Sequence, residues 1–457
     1  MSLFSKETQL MTEGSISRHI IKFAIPLLIG NILQQSYQLV DMVIVGRCID
    51  DGGLSIAAVG VSSSFIGMMI GLFMGLSTGA GIVISNAYGA GKTRRVKQSI
   101  RLSLWVALGF ALLLTVFSVF CCDWILELIN TTDDIFDLAS TYLTLYCLGF
   151  VPLLVYNMGT AILQALGNST SPFYYLAITC VLNVVLDLVF VQGLEMGVGG
   201  AAIATVISKC IATALVLRKI LTSGVMKAYG EKVLKEKATA SNGRLLGLIL
   251  KFGVPIAIQS VTMSMSNMVL QGNINLLGTS VIAAWSIFGK IDGYILLPTV
   301  SFRMAITTFT GQNYGAKRLD RVKEGKRVVS LMSVGTTVGL GALALLLCEP
   351  LVRLFDDSPE ILDICWEMAL YMIPFYFTLA LIHVYTGLFN GLGKPVFGSA
   401  AMIICMCFIR VACVAVAFPI LESTLAIYLA YYASWFSCLF ILMGEYHFIL
   451  KKQLGLN

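Results

Sequence analysis

Apolar residues run in long, unbroken stretches along the whole chain, and short polar clusters separate them. Twelve stretches fall at about 20–45, 54–86, 98–120, 138–156, 172–191, 198–217, 245–271, 280–309, 328–348, 366–386, 396–419 and 424–448. As helices, runs of roughly 20 residues cross a hydrocarbon core of ~30 Å. The runs are continuous rather than alternating with a period of two, which argues against a membrane β-barrel. The pattern predicts an all-α polytopic membrane protein with twelve transmembrane helices.

The chain writes its plan twice. Asn86-Ala87-Tyr88-Gly89-Ala90 returns about 226 residues later as Asn313-Tyr314-Gly315-Ala316, and the same Arg-Val-Lys follows each copy (Arg95 to Lys97, Arg321 to Lys323). Lys22-Phe23-Ala24-Ile25-Pro26 returns as Lys251-Phe252-Gly253-Val254-Pro255, and Leu166-Gly167 as Leu392-Gly393. This predicts two pseudo-symmetric six-helix lobes, 1–217 and 245–457, joined by a basic cytoplasmic linker over 218–244. Six is even, so both lobes start on the same side of the membrane. Between duplicated halves of this kind, secondary transporters hold their cargo.

Composition agrees. Hydrophobic residues make up 57% of the chain and charged residues 12%, against about 25% charged in a soluble domain. Mean hydropathy is +0.86. The net charge of +6 matters through its placement. Basic residues gather in alternate loops: Lys92, Arg94, Arg95 and Lys97; the 218–244 segment with Lys232, Lys235 and Lys237; and Lys317 to Arg327. The remaining loops are acidic, at Asp50 and Asp51, Asp123 to Asp134, and Asp356 to Glu360. By the positive-inside rule the basic loops and both termini face the cytoplasm. Topology thus accounts for the Lys and Arg residues, and nucleic acid is not an expected partner. Most of the twelve cysteines lie in apolar stretches, where they act as small hydrophobes. The first ~15 residues are polar and no cleavable leader is expected.

Polar residues inside apolar stretches carry the candidate chemistry. In the first stretch Asn31, Gln34, Gln38 and Asp41 share one helical stripe about 80° wide. In the fifth, Asn183 and Asp187 are four apart and share a face. An ionised carboxylate at membrane depth costs at least ~2.5–3.5 kcal/mol. Two in one lobe, each beside amides, form a candidate site for H⁺ or Na⁺, since neighbouring carboxylates and burial both favour the protonated form. The plainer alternative is that Asp41 lies near a helix end and faces water. Pro26 and Pro255 stand at matched places and each removes a backbone donor, so they are candidate hinges or static kinks. Gly67, Gly71, Gly75 and Gly79 form a stripe for close helix packing, with a sliding surface as the alternative.

The second lobe does not repeat the acidic pattern. Gln259, Met263, Ser266 and Asn273 make a soft polar face on its first helix. Its second helix aligns Trp285, Phe288, Asp292, Thr299 and Arg303; Asp292 and Arg303 are about 16 Å apart along the axis and do not pair. His383, Thr386 and Arg410 follow. With Tyr37 of the first lobe, Gln259, Met263, Ser266, Trp285, Phe288, Asp292 and His383 are the candidate substrate contacts. Methionine, aromatic faces and a carboxylate suit bulky amphipathic cations. Contacts that only hold the lobe together are the alternative for Gln259 and Arg410, and a satisfied core histidine is the alternative for His383.

Other chemistries fail. Gly91-Lys92-Thr93 ends like a phosphate-binding loop, but Asn86 replaces the required glycine and no strand precedes it. No nucleophile or zinc motif is present, so an enzyme is not expected, nor a cofactor or metal beyond Na⁺ at Asp41 and Asp187. Asn130-Thr131-Thr132 fits a glycosylation sequon.

These residues resemble a known family. The Lys-Phe-Ala-Ile-Pro opening, Gln34 through Asp41 followed by Val43-Ile44-Val45-Gly46, the Gly-Ala-Gly-Lys loop, Leu163-Gln164-Ala165-Leu166-Gly167-Asn168, Asn183-Val184-Val185-Leu186-Asp187 and Gly199-Gly200-Ala201-Ala202-Ile203-Ala204-Thr205 look like multidrug and toxic compound extrusion (MATE) transporters of the prokaryotic branch. The resemblance spans nearly the whole chain. It implies a pair of lobes and export of organic cations, as a monomer, in exchange for H⁺ or Na⁺. It also implies that Asp41, Asn183, Asp187 and Thr205 form the ion site; Thr205 enters by the resemblance alone. Some members carry acidic residues where this chain has Gln259 and His383, which shifts weight to the first lobe. A lipid-linked precursor flippase of the wider superfamily is the runner-up. The few membrane-depth cations (Lys290, Arg303, Arg410) and the paired carboxylates disfavour it.

Overall fold

The computed structural model describes residues 10–48, 52–128, 131–227 and 241–450. Residues 228–240 of the 218–244 linker, Asp50, Asp51 and Asn130 lie outside them. The described residues form long helices: α1 (Ile16–Cys48), α2 (Gly52–Gly89), α3 (Thr93–Leu128), α4 (Asp133–Leu148), α5 (Phe150–Ala165), α6 (Thr170–Asp187) and α7 (Gly197–Thr222). The second half adds α8 (Asn242–Asn275), α9 (Thr279–Gly315), α10 (Leu319–Leu346), α11 (Pro359–Met372), α12 (Tyr376–Gly391), α13 (Pro395–Ile403), α14 (Arg410–Leu421) and α15 (Thr424–Gly444). Among the described residues, eleven spans are long and apolar enough to cross a membrane. The pair α4 and α5, bent by 49° at Gly149, makes a twelfth when taken as one span. The protein is an all-α, multi-pass membrane protein.

The duplicated motifs are helix-ending devices. Gly91 has φ +68° and Lys317 has φ +60°, at equivalent places after α2 and α9. Around each, the backbone closes the same pair of bonds: Gly91 N to Tyr88 O and Lys92 N to Ala87 O, then Lys317 N to Tyr314 O and Arg318 N to Asn313 O. These bonds satisfy orphan carbonyls at the helix end. Gly167 and Gly393 do the same after α5 and α12.

The described chain divides into two compact units. Ile29–Gly253 belongs to the first; Leu10–Leu28 and the residues from Val254 onward belong to the second. Each unit therefore takes the leading half of a helix whose remainder belongs to the other. In the second unit Met11, Ile16, Ile20 and Phe23 pack against Phe302, Ile306 and Phe309 of α9. In the first unit Leu245 and Ile249 of α8 join the core around Phe73, Phe150 and Ile162. Nothing in the hydropathy pattern announces this exchange. The division crosses α1 and α8 within three residues of Pro26 and Pro255, both inside their helices.

Three of the described spans carry a π-helical turn, and the last, Glu445–Leu450, closes the span that begins at Thr424. Leu188–Gly193 follows Asp187, and Ile404–Ile409 precedes Arg410. Such turns widen a helix locally and alter the aim of the side chains around them.

Candidate functional site

Asp41 and Asp187 meet inside the first unit. Asp41 lies on the trailing half of α1, and Asp187 is the last α-helical residue of α6 before the π turn. Their carboxyl groups stand close enough to share a hydrogen bond. Asp187 is 0% exposed and Asn183, one turn earlier, is 3% exposed. Both carboxyl oxygens of Asp187 and Oδ1 of Asp41 are buried without a donor. Two ionised carboxylates have only acceptors to offer each other, so a contact this close is satisfied by a shared proton or by a cation between the groups. The chemistry of the donor set, hard oxygens on two helices, fits either H⁺ or Na⁺.

One turn from Asp187, at Asn183, is a small, partly open recess lined by Tyr37, Thr179, Cys180, Asn183, Thr205, Ser208 and Lys209. It brings Asn183 of α6 and Thr205 of α7 together with Tyr37 of α1. Thr179 already donates its hydroxyl to backbone oxygens of its own helix, those of Tyr175 and Leu176. The Asn183 amide nitrogen and the Ser208 hydroxyl are buried and unpartnered.

The accessory stripe divides. Asn31 is half-buried, whereas Gln34 and Gln38 are exposed on the unit. Within the second unit the candidate contacts scatter. Ser266 is fully buried and donates to the Met406 carbonyl at 2.7 Å; Gln259 Oε1 accepts from Ser399 at 2.9 Å. Phe288 is a core residue, and Met263 and Trp285 pack at the edge of the same core. Trp285 lies 6.1 Å from Tyr431, whose ring faces the Arg410 guanidinium at 4.5 Å. Asp292 is half-buried near Tyr376, with Oδ1 unpartnered. His383 Nδ1 lies 2.7 Å from the Thr299 hydroxyl. Arg410 is buried and bonds to Ser434 and to the Met406 sulfur.

Three residues, two within reach of Asp41 and one in the recess, are not among the candidates drawn from the sequence. Tyr142 and Tyr146 of α4, ring centroids 5.8 Å apart, stand within electrostatic reach of Asp41. Their spacing of four is a signal for one shared face. Lys209 stands over two tyrosines, 5.9 Å from the Tyr37 ring and 5.4 Å from the Tyr156 ring. It lies inside the sixth apolar stretch, and a cation at that depth is itself a signal.

Comparison with known proteins matches this architecture. The MatE family model matches residues 26–189 and 255–430, one segment in each repeat. A protein of Bacillus subtilis described as probable multidrug resistance protein YoeA is 28% identical over 98% of this chain and 96% of its own length. The probable multidrug resistance protein NorM of Thermotoga maritima is 26% identical, over 86% of this chain and 84% of its own. Among solved structures, an outward-facing multidrug resistance MATE family transporter superposes with a TM-score of 0.87 at 20% identity, covering 99% of both chains. The Vibrio cholerae MATE transporter VcmN, solved as a point mutant, gives 0.88 at 20% identity, covering 98% of this chain and all of that one. A family model matched in both halves, on a fold shared end to end, means that this chain belongs to the MatE family.

Proposed function

We propose that the protein is a secondary active antiporter that exports organic, cationic or amphipathic compounds in exchange for H⁺ or Na⁺ by alternating access. The observation that carries this reading is the Asp41–Asp187 pair, in which Oδ1 of Asp41 and both carboxyl oxygens of Asp187 are buried without a donor. Asn183 and Thr205 complete the ion site, with Asn31, Gln34 and Gln38 as the polar approach to it. A ligand shifts a conformational equilibrium only through its differential affinity for the two states. The carboxylates supply that difference for the ion. Tyr37, Trp285 and Asp292 offer aromatic faces and a charge suited to organic cations.

Pro26 and Pro255 act as hinges. The division between units passes through both helices next to them, where each proline leaves the helical ladder one bond short. The charge of the loops supports an orientation with both termini in the cytoplasm, and the likeness to bacterial relatives supports the inner membrane of a prokaryote. It works as a monomer and carries out no covalent chemistry. The named relatives, probable multidrug resistance proteins, agree with this reading.

The test is efflux of ethidium from proteoliposomes under a pH gradient or a Na⁺ gradient imposed separately. At least one gradient drives efflux against the dye's concentration. Efflux indifferent to both gradients contradicts the proposal.

A further inference from the structure

Lys326 of α10 stands where three helices of the second unit meet. α12 packs against both α10 and α15. Tyr385 of α12 and Tyr446 of the π turn after α15 set their rings edge to face, 5.8 Å apart. The Lys326 ammonium lies 4.3 Å from the Tyr446 ring centroid and 5.3 Å from that of Tyr385, and it donates to the Tyr385 hydroxyl at a long 3.5 Å. Ring faces attract a cation but leave its N–H donors available. Among the described residues no carboxylate comes within ion-pair distance of Lys326 or of its neighbour Arg327, Glu324 one turn earlier included. Glu445, next to Tyr446 in the chain, is within reach of Cys405 and Cys438 instead. Lys323 adds a third cation within electrostatic reach of Lys326.

The seam lies at one end of the spans. Lys326 is in the early turns of the span Leu319–Leu346, Tyr385 in the last two turns of Pro359–Gly391, and Tyr446 near the end of Thr424–Phe448. Lysine and tyrosine at that level belong to the headgroup region of a bilayer. Arg327 is exposed, and its stripe continues along α10 through Leu331 and Val338, at steps of four and seven. These two are 67% and 54% exposed. Cations at the helix entrance therefore pass into an open apolar face, the profile of a phospholipid with its headgroup at the interface and its chains along the span.

We propose that this seam binds the phosphate headgroup of an anionic phospholipid, with Lys326 and Arg327 as donors and the face of Leu331 and Val338 as the bed of an acyl chain. Basic pockets between spans at a membrane surface hold such headgroups. Free phosphate shares the headgroup's chemistry, but only a lipid uses the apolar face. The proposal goes beyond export and does not depend on it, since it concerns a lipid held in place and is read on protein that transports nothing.

Native mass spectrometry of the purified protein in detergent counts bound lipids. The parent protein retains phosphatidylglycerol where it loses phosphatidylcholine. Lys326→Gln and Arg327→Gln each lower that retention about tenfold, and Lys326→Arg keeps it. Lys317→Asn removes a charge from an exposed side chain at the same end of the unit, at a positive φ that asparagine tolerates, and leaves retention unchanged. Equal loss in Lys317→Asn means that general surface charge draws the lipid, and overturns the site. Undiminished phosphatidylglycerol in Lys326→Gln and Arg327→Gln overturns it as well. Millimolar inorganic phosphate leaves the lipid bound; displacement by it assigns the seam to free phosphate and sinks the lipid. Thermal unfolding without added lipid shows whether Lys326→Gln is folded. If it is not, the exposed Arg327 decides, and retention at the parent level in Arg327→Gln contradicts the proposal.

Discussion

Gly79 on α2 and Gly253 on α8 touch backbone to backbone: a Cβ built on Gly79 would stand 2.6 Å from the Gly253 nitrogen and 2.6 Å from the Ile249 oxygen. Neither neighbour is the end of a flexible side chain, so the helices themselves would have to part. At Gly67, on the same helix, an added methyl group would meet nothing within 4 Å. Gly79→Val therefore lowers stability by roughly 1–3 kcal/mol, whereas Gly67→Ala leaves it nearly unchanged. Thermal unfolding of the purified variants in detergent distinguishes the two. Equal melting temperatures for both variants contradict the close approach.

The Thr299 hydroxyl has one proton and two neighbours. It donates to the Leu296 carbonyl at 2.7 Å, which leaves its oxygen to accept from His383 Nδ1, also at 2.7 Å. His383 is thereby held with a proton on Nδ1. The chain has three histidines, so nitrogen NMR of histidine-labelled protein resolves this one by comparison with His383→Asn. The expected spectrum shows a protonated Nδ1 that becomes heterogeneous in Thr299→Val. An Nε2-H tautomer in the parent protein contradicts the assignment.

Arg321 ties the chain's leading residues to the second copy of the repeated motif. Its guanidinium donates to Gly14 O at 2.9 Å, to Met11 O at 3.2 Å and to Asn313 Oδ1 at 3.1 Å. Asn313 donates to the same Met11 carbonyl, and Met11 N donates to Gln312. Hydrogen bonds to a charged group contribute about 1.5–3 kcal/mol each when removed singly. Arg321→Ala therefore frees the segment around residues 10–14. Amide hydrogen exchange there rises by at least about tenfold, while exchange in α5 stays as before. Unaltered protection of Met11 in the variant contradicts the latch.

The fold is legible in the sequence to the extent that lipid dictates it. Continuous apolar runs have one solution in a bilayer, and the repeated Tyr-Gly-Ala and Leu-Gly motifs mark helix ends, with positive φ at the residue after the first motif (Gly91, Lys317) and at the glycine of the second (Gly167, Gly393). The exchange of the leading halves of α1 and α8 is not legible. Ile16, Ile20 and Phe23 are equally apolar whichever unit receives them, and only tertiary packing against Phe302 and Phe309 decides. The two carboxylates declare themselves one by one, since each is costly at membrane depth, but their meeting joins residues 146 positions apart. Lys209 escapes because its partners, Tyr37 and Tyr156, come from two other helices. Ser266 and Phe288 read as polar face and aromatic stripe, yet both are buried against neighbouring helices of their own unit.

The central claim is that Asp41 and Asp187 take up and discharge one cation together. Infrared difference spectroscopy of the purified protein, recorded on a pH jump and on addition of Na⁺, reads this at the carboxyl groups. The account predicts a carboxyl band that changes in the parent protein and disappears in both Asp41→Asn and Asp187→Asn, with folded protein and coupled efflux abolished in each. A band that persists unchanged in either variant, or coupled efflux at the parent rate, contradicts it.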